Sequence, residues 1–172
     1  MTDRPHGPMR KAASLVLLGV MLVHGPAAAA KAVGPSGLPL PRFVSLADDE
    51  VNARTGPGKD YPIRWVYTRR NLPVRIVEEF DVWRKVQDPE GDEGWIHAQL
   101  LSSKRSVVMV GTVRELHRTA SDSARVVLRA EPGVVGTLVN CNGRWCLVDV
   151  QGQRGWVERD GIWGVLEDEW PN

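Results

Sequence analysis

Asp81-Val82-Trp83-Arg84-Lys85-Val86 followed by Gly94-Trp95-Ile96, and Gly143-Arg144-Trp145-Cys146-Leu147-Val148 followed by Gly155-Trp156-Val157, are two copies of one pattern. In each, a Trp-x-x-Val run passes through a turn-rich loop to Gly-Trp and a β-branched residue. The separation of about sixty residues makes the chain a tandem repeat. The duplicated residues are tryptophans, glycines and valines, which pack and turn a chain. Nucleophiles, bases and metal ligands are not duplicated, which argues against an enzyme.

Around each copy, short apolar runs broken by turn residues predict strands. In the first copy these are Val51 to Arg54, Ile63 to Tyr67, Leu72 to Phe80, Val82 to Asp88 and Gly94 to His97. Asp88-Pro-Glu-Gly-Asp-Glu93 supplies the hairpin loop between the last two. The second copy repeats the order with Val107 to Leu116, Val126 to Leu128, Gly136 to Cys141, Trp145 to Val150 and Gly155 to Glu158. No segment of helical period is long enough to matter. A flat sheet of this size buries too little apolar surface, so each copy is expected to curl into a small barrel.

Glu50-Val-Asn-Ala-Arg54 before Gly56-Pro57-Gly58, then Leu72-Pro-Val, Trp83 and Gly94-Trp95-Ile, resembles a bacterial SH3 domain. Glu131-Pro-Gly133, Cys141, Trp145-Cys146, Gly155-Trp156 and Trp163-Gly-Val165 are similar to the second module of a two-domain family of exported bacterial SH3-like proteins. The resemblance covers nearly all of the chain after its first thirty or so residues. It implies an all-β chain of two tandem SH3-like β-barrels, residues 43–105 and 106–172, after a signal peptide over 1–32 and a linker over 33–42. The second copy departs at its start, where Leu116-His-Arg-Thr-Ala120 carries no Gly-Pro-Gly turn. A function placed at that loop is therefore expected of the first module only.

Arg10 and Lys11 form a positive start, Ala12 to Val23 an apolar stretch too short to span a bilayer, and Ala27 to Ala30 a small-residue run suited to signal-peptidase cleavage. Cleavage is expected after Ala30 or Ala32, delivering a periplasmic or secreted protein with no stable membrane insertion. Val33-Gly-Pro-Ser-Gly-Leu-Pro-Leu-Pro41 reads as a stiff, extended linker. Removing residues 1–30 takes away Arg4, Arg10, Lys11 and Asp3, which leaves a net charge of −1. No basic field exists of the kind that binds nucleic acid.

Matched large aromatics in a repeat, here Trp83 with Trp145 and Trp95 with Trp156, read as structural anchors. Trp65 and Tyr67 are unmatched and share one strand face, with Val66 on the other. If Val66 is core they face outward and line a peptide groove; otherwise they fill the seam between modules. Trp163 and Trp170 are expected to close the barrel end or dock the tail. Arg54 suits either a carboxylate ligand or the carbonyls of the adjoining loop. A binding surface is therefore expected around Arg54, Tyr61, Trp65 and Tyr67.

Catalysis has little to stand on. After the export segment the histidines are His97 and His117, and neither sits in a nucleophile motif. No cofactor or metal is expected, because Cys141 and Cys146 alone are a weak zinc signal. In an oxidising compartment the two are expected to form a disulfide. They fall in bonding range if they lie directly opposite across a four-residue loop, and are less well placed if a two-residue turn at Asn142-Gly143 makes them diagonal. The resemblance implies a non-catalytic envelope module whose partner is peptidoglycan peptide or glycan, or alternatively a scaffold for an envelope protein.

Overall fold

The computed structural model describes residues 1–2 and 32–169. The chain divides into two compact units, Met1–Ala30 and Lys31–Asn172, and both repeat copies lie in the second. Nearly all of the expected signal peptide lies outside the described residues, as does Trp170.

Ala32–Val33 (β1) and Pro39–Leu40 (β2) come first. The first module then has Arg42–Leu46 (β3), Val51–Arg54 (β4), Ile63–Tyr67 (β5), Pro73–Phe80 (β6), Trp83–Gln87 (β7), Glu93–His97 (β8) and Leu101–Ser102 (β9). The second has Ser106–Met109 (β10), Arg114–His117 (β11), Val126–Ala130 (β12), Val135–Asn142 (β13), Trp145–Val150 (β14), Gln153–Glu158 (β15) and Ile162–Trp163 (β16). A single 3-10 turn, Ala98–Leu100 or Arg159–Gly161, precedes the last strand of each module.

The two sheets have the same topology. Their orders are β5-β4-β8-β7-β6-β3-β9 and β12-β11-β15-β14-β13-β10-β16, antiparallel throughout. Even the register breaks correspond, one after Ile76 on β6 and one after Leu138 on β13. The expected run Val107 to Leu116 is two strands, because the chain turns at Gly111, whose φ of 78° suits glycine. The strands β3, β9 and β16 were not expected; β9 and β16 have two residues each, too few to show a period.

Alternation fills each barrel. Val51 and Ala53 on β4, Val74 and Ile76 on β6, Val86 on β7 and Ile96 on β8 form the first core with Leu46. Leu116, Leu138, Val148 and Val157 stand at corresponding places of the second, where Cys146 is also part of the core. The modules meet where Phe43 of β3 packs edge-on against Trp163 of β16, with ring centroids 4.6 Å apart. Trp163 therefore joins the two barrels. Beside it the Arg69 guanidinium donates to the Gly133 carbonyl.

The Pro/Gly-rich segment is not extended. β1 and β2 pair antiparallel, and Gly37, at φ 78°, turns the chain between them. Leu40 packs on the first core, while the Ser36 N–H and hydroxyl both donate to the Glu79 carboxylate. Gly34 lies so close that a Cβ there would stand 2.4 Å from the Glu79 carboxylate oxygen. Proline and glycine excluded a long strand, and tertiary anchoring supplied what local propensity did not.

Candidate functional site

The repeat tryptophans are packed, but on the face of the sheet opposite the barrel core. Ile96 enters the core, so Trp95 and His97 on either side of it point the other way. Trp83 pairs with His97 across the ladder, their rings edge-on at 5.4 Å. On the same face β4 presents Asn52 and Arg54. Together with Lys59, Gln99 and Leu100 these groups line a cleft of about 240 Å³.

Three segments build this cleft. The loop 55–62 forms one wall, held by Thr55 N–H to Pro62 C=O at 3.0 Å and Gly58 N–H to Gly56 C=O at 3.0 Å. The Tyr61 ring lies on Gly56, where a Cβ would come within 2.3 Å of it. Arg54 fastens the loop by donating to the Tyr61 carbonyl at 2.8 Å, with its remaining N–H groups beside the cleft. The 3-10 turn forms the second wall, where His97 Nδ1 accepts the Gln99 N–H at 3.3 Å. Trp83, only 8 % exposed, is the floor.

Of the expected binding residues, Arg54 lines the cleft and Tyr61, which is exposed, braces its loop. Trp65 and Tyr67 do not belong to it. Val66 between them is exposed, at 43 %, and the two rings pack inward on the first core, edge-on to each other at 6.1 Å. The reason is volume: Trp65 faces Ala53 and Tyr67 faces Val51, whereas in the second module Leu128 faces Leu116 and Ala130 faces Arg114. Large rings fill the space that small partners on β4 leave. Tyr67 also borders a groove of about 520 Å³ between the modules, and its hydroxyl lies 3.2 Å from Asp88 Oδ2. Burial pushes its phenol well above the ordinary range.

Asn52, Lys59, His97 and Gln99 were not expected at the site, and Trp83 was expected only as an anchor. Periodicity does hold a signal: Asn52 and Arg54 alternate with core residues Val51 and Ala53, so both must face away from the core.

At the matching place in the second module, His117 stands where the first has Arg54, each paired with the tryptophan of its Gly-Trp motif. Its Nδ1 meets the Ala124 carbonyl at 2.9 Å, which is the task Arg54 performs on Tyr61. The loop 118–125 repeats the backbone bonds of 55–62 without the Gly-Pro-Gly turn. Over Trp145, however, lies Arg144, 5.5 Å from the ring centroid, ion-paired to Asp122 of the loop and to Glu158 at 3.1 Å. The His117 ring packs edge-on against Trp145 at 5.4 Å. The hollow beside this assembly is lined by Arg144, Glu158, Arg159, Asp160 and Glu167, with no aromatic floor.

A second difference lies one ladder position from Trp83 and Trp145, in the same hairpins. Cys141 and Cys146 pair directly and are disulfide-bonded, Cα atoms 4.0 Å apart, across a two-residue turn at Gly143-Arg144. The corresponding pair in the first module is Glu79 and Arg84. The Glu79 side chain is fully buried and ion-paired to Arg84 at 3.2 Å and Arg42 at 2.6 Å. Burial alone would raise its carboxyl, but the Ser36 and Arg42 hydrogen bonds outweigh that and hold it down to about 2.

The family model for the bacterial SH3 domain matches residues 47–103 and 114–164. The chain belongs to the bacterial SH3 domain family. Both matched segments fall within the two modules, so the bacterial SH3 assignment accounts for the duplicated topology. The chain is also similar, 23 % identical over 128 residues, to the Bacillus subtilis protein named "Putative N-acetylmuramoyl-L-alanine amidase YrvJ". That match takes in 68 % of this chain but 24 % of the amidase, so the chain spans about a quarter of its relative. Among solved structures it is similar to NlpC2 of Trichomonas vaginalis, at 15 % identity and TM-score 0.33 over 72 % of this chain and 48 % of that one. NlpC1 of the same organism gives 13 % identity and TM-score 0.33 over 85 % and 50 %.

Among the described residues no helix is long and apolar enough to cross a membrane, and no group of three or more His, Cys, Asp or Glu residues is placed to hold a metal ion.

Proposed function

We propose that this bacterial SH3 protein is a non-catalytic binding module of the cell envelope, periplasmic or secreted, that contacts peptidoglycan through the first-module cleft. The observation that carries the reading is that two barrels of one topology treat the same place differently. The first leaves a polar cleft over Trp83, and the second covers Trp145 with Arg144. The name of the amidase relative, a wall-directed activity, supports the wall as the target. The engagement of both described histidines supports a non-catalytic role: His97 accepts the Gln99 N–H and packs on Trp83, and His117 is bonded to the Ala124 carbonyl and packs on Trp145.

The test is co-sedimentation of the two-module chain with purified peptidoglycan sacculi, beside a Lys59→Glu variant. Retention of the parent in the pellet and loss of the variant are expected. The groove between the modules favours one other reading, a scaffold for an envelope protein. A parent that stays in the supernatant yet captures one envelope protein would replace wall binding with that role.

A further inference from the structure

The polar groups that reach the first-module cleft share one property: each can donate a hydrogen bond. Arg54 spends one N–H on Tyr61 and has others left, since a guanidinium carries five. Lys59 is exposed on the loop and forms no ion pair among the described residues. His97 accepts the Gln99 N–H at Nδ1, so its neutral ring holds the proton on Nε2 and is a donor there. Asn52 and Gln99 add amides, and no carboxylate lines the cleft. The matching positions of the second module invert this character, with Glu115 for Asn52, Glu158 for His97 and Asp160 for Gln99. The single aromatic, Trp83, is too covered to offer a ring face to a sugar.

We infer that the first-module cleft of this protein, defined by Arg54, Lys59 and His97 around Trp83, recognises an extended peptide through a free carboxylate. The inference deepens the wall-binding proposal and rests on the same cleft. The carboxylate takes charge-assisted bonds from Arg54 and Lys59, the strongest polar contacts this site can make. The peptide's neighbouring carbonyls accept from His97 Nε2 and the Asn52 and Gln99 amides. A neutral glycan offers hydroxyls but no counter-charge, and a basic peptide meets two cations.

The test uses synthetic probes and the two-module chain. Ala-Glu-Ala-Ala with its carboxylates free is titrated against Ala-Gln-Ala-Ala amide and a chitin tetrasaccharide, followed by amide and indole NMR shifts. The acidic peptide should shift Trp83 and the 55–62 loop, and the neutral peptide should bind at least tenfold more weakly. Lys59→Glu, on an exposed residue with no ion pair among the described residues, should keep the melting temperature and lose at least tenfold in affinity for the acidic peptide. Lys59→Arg should restore it. Equal binding of the two peptides, shifts confined to the second module, or binding of the saccharide alone would overturn the inference. Sacculi held without acidic-peptide binding would defeat the carboxylate reading alone. Acidic-peptide binding without sacculus retention would defeat the wall reading and leave this one standing.

Discussion

The two barrels solve the same structural problems with different chemistry. Each must hold the loop after its second long strand, and a donor on that strand reaches a loop carbonyl: Arg54 to Tyr61 in one, His117 to Ala124 in the other. Each must secure the far end of its longest hairpin, where Glu79 and Arg84 stand in one and Cys141 and Cys146 in the other. Over the packed tryptophan they diverge. The first keeps donors around an accessible cleft, and the second lays Arg144 across the ring between two carboxylates. Shared fold and shared loop geometry therefore do not imply a shared surface chemistry. What separates the modules at this place is a handful of polar side chains on one face of each sheet.

The sharpest way to break the equivalence is to truncate the Gly-Trp pair. Trp95 is 9 % exposed, whereas Trp156 is only half-buried. Trp95→Ala should cost about 3–5 kcal/mol and Trp156→Ala nearer 2 kcal/mol, because partial exposure already forgoes part of the packing. Urea denaturation of both variants checks this. Equal losses would mean that the two tryptophans carry the same load despite their different burial.

The second comparison sets acid against reductant. Glu79 is ionised in the fold with its carboxyl held at about 2, below an ordinary 4.5. Its stabilisation is therefore complete above pH 4.5 and is lost as the pH falls from there toward 2. Glu79→Ala leaves Arg42 and Arg84 without their carboxylate and frees Ser36, at a cost of about 3 kcal/mol. Protease cleavage within residues 32–40 should appear in that variant, and in the parent only at low pH. Reducing Cys141–Cys146, a pair with sequence separation 5, should cost about 2 kcal/mol and leave the hairpin 32–40 docked. A hairpin released by reductant, or held after Glu79 is removed, would contradict the division of labour between the two barrel ends.

The same contrasts separate what residue order encodes from what only the folded chain brings about. The repeat, the strands with strong alternation and the pairing of the cysteines are legible from residue type and spacing, because side-chain period and turn chemistry are local. The inward packing of Trp65 and Tyr67 is not. It depends on Ala53 and Val51 across the ladder being small, a non-local matter of volume. The docked N-terminal hairpin is hidden for the same reason, since its anchor, Glu79, lies 43 residues from Ser36. Arg54 is legible because its placement before a tight turn is local. Lys59, His97 and Gln99 are not, because only folding brings their segments together around Trp83.

The smallest effect is expected at Arg144, and it bears most directly on the comparison of clefts. The Arg144 side chain is 62 % exposed and that of Asp122 is 70 %, so solvent screens their attraction. Arg144→Ala should therefore cost less than about 1 kcal/mol in stability. The loop 118–125 should stay in place, because His117 and the loop's own backbone bonds hold it independently of Arg144. What should change is the Trp145 indole, whose NMR resonance loses the cation stacked on its ring and whose N–H exchanges faster, while Trp83 is undisturbed. With Glu115, Glu158 and Asp160 around it, the uncovered face remains acidic and should still not bind Ala-Glu-Ala-Ala. If the variant does bind that peptide, Arg144 alone silences the second module, and the acidic side chains do not. If the variant melts far earlier instead, Arg144 is a structural brace of the second barrel, and the difference between the clefts is a by-product of stability.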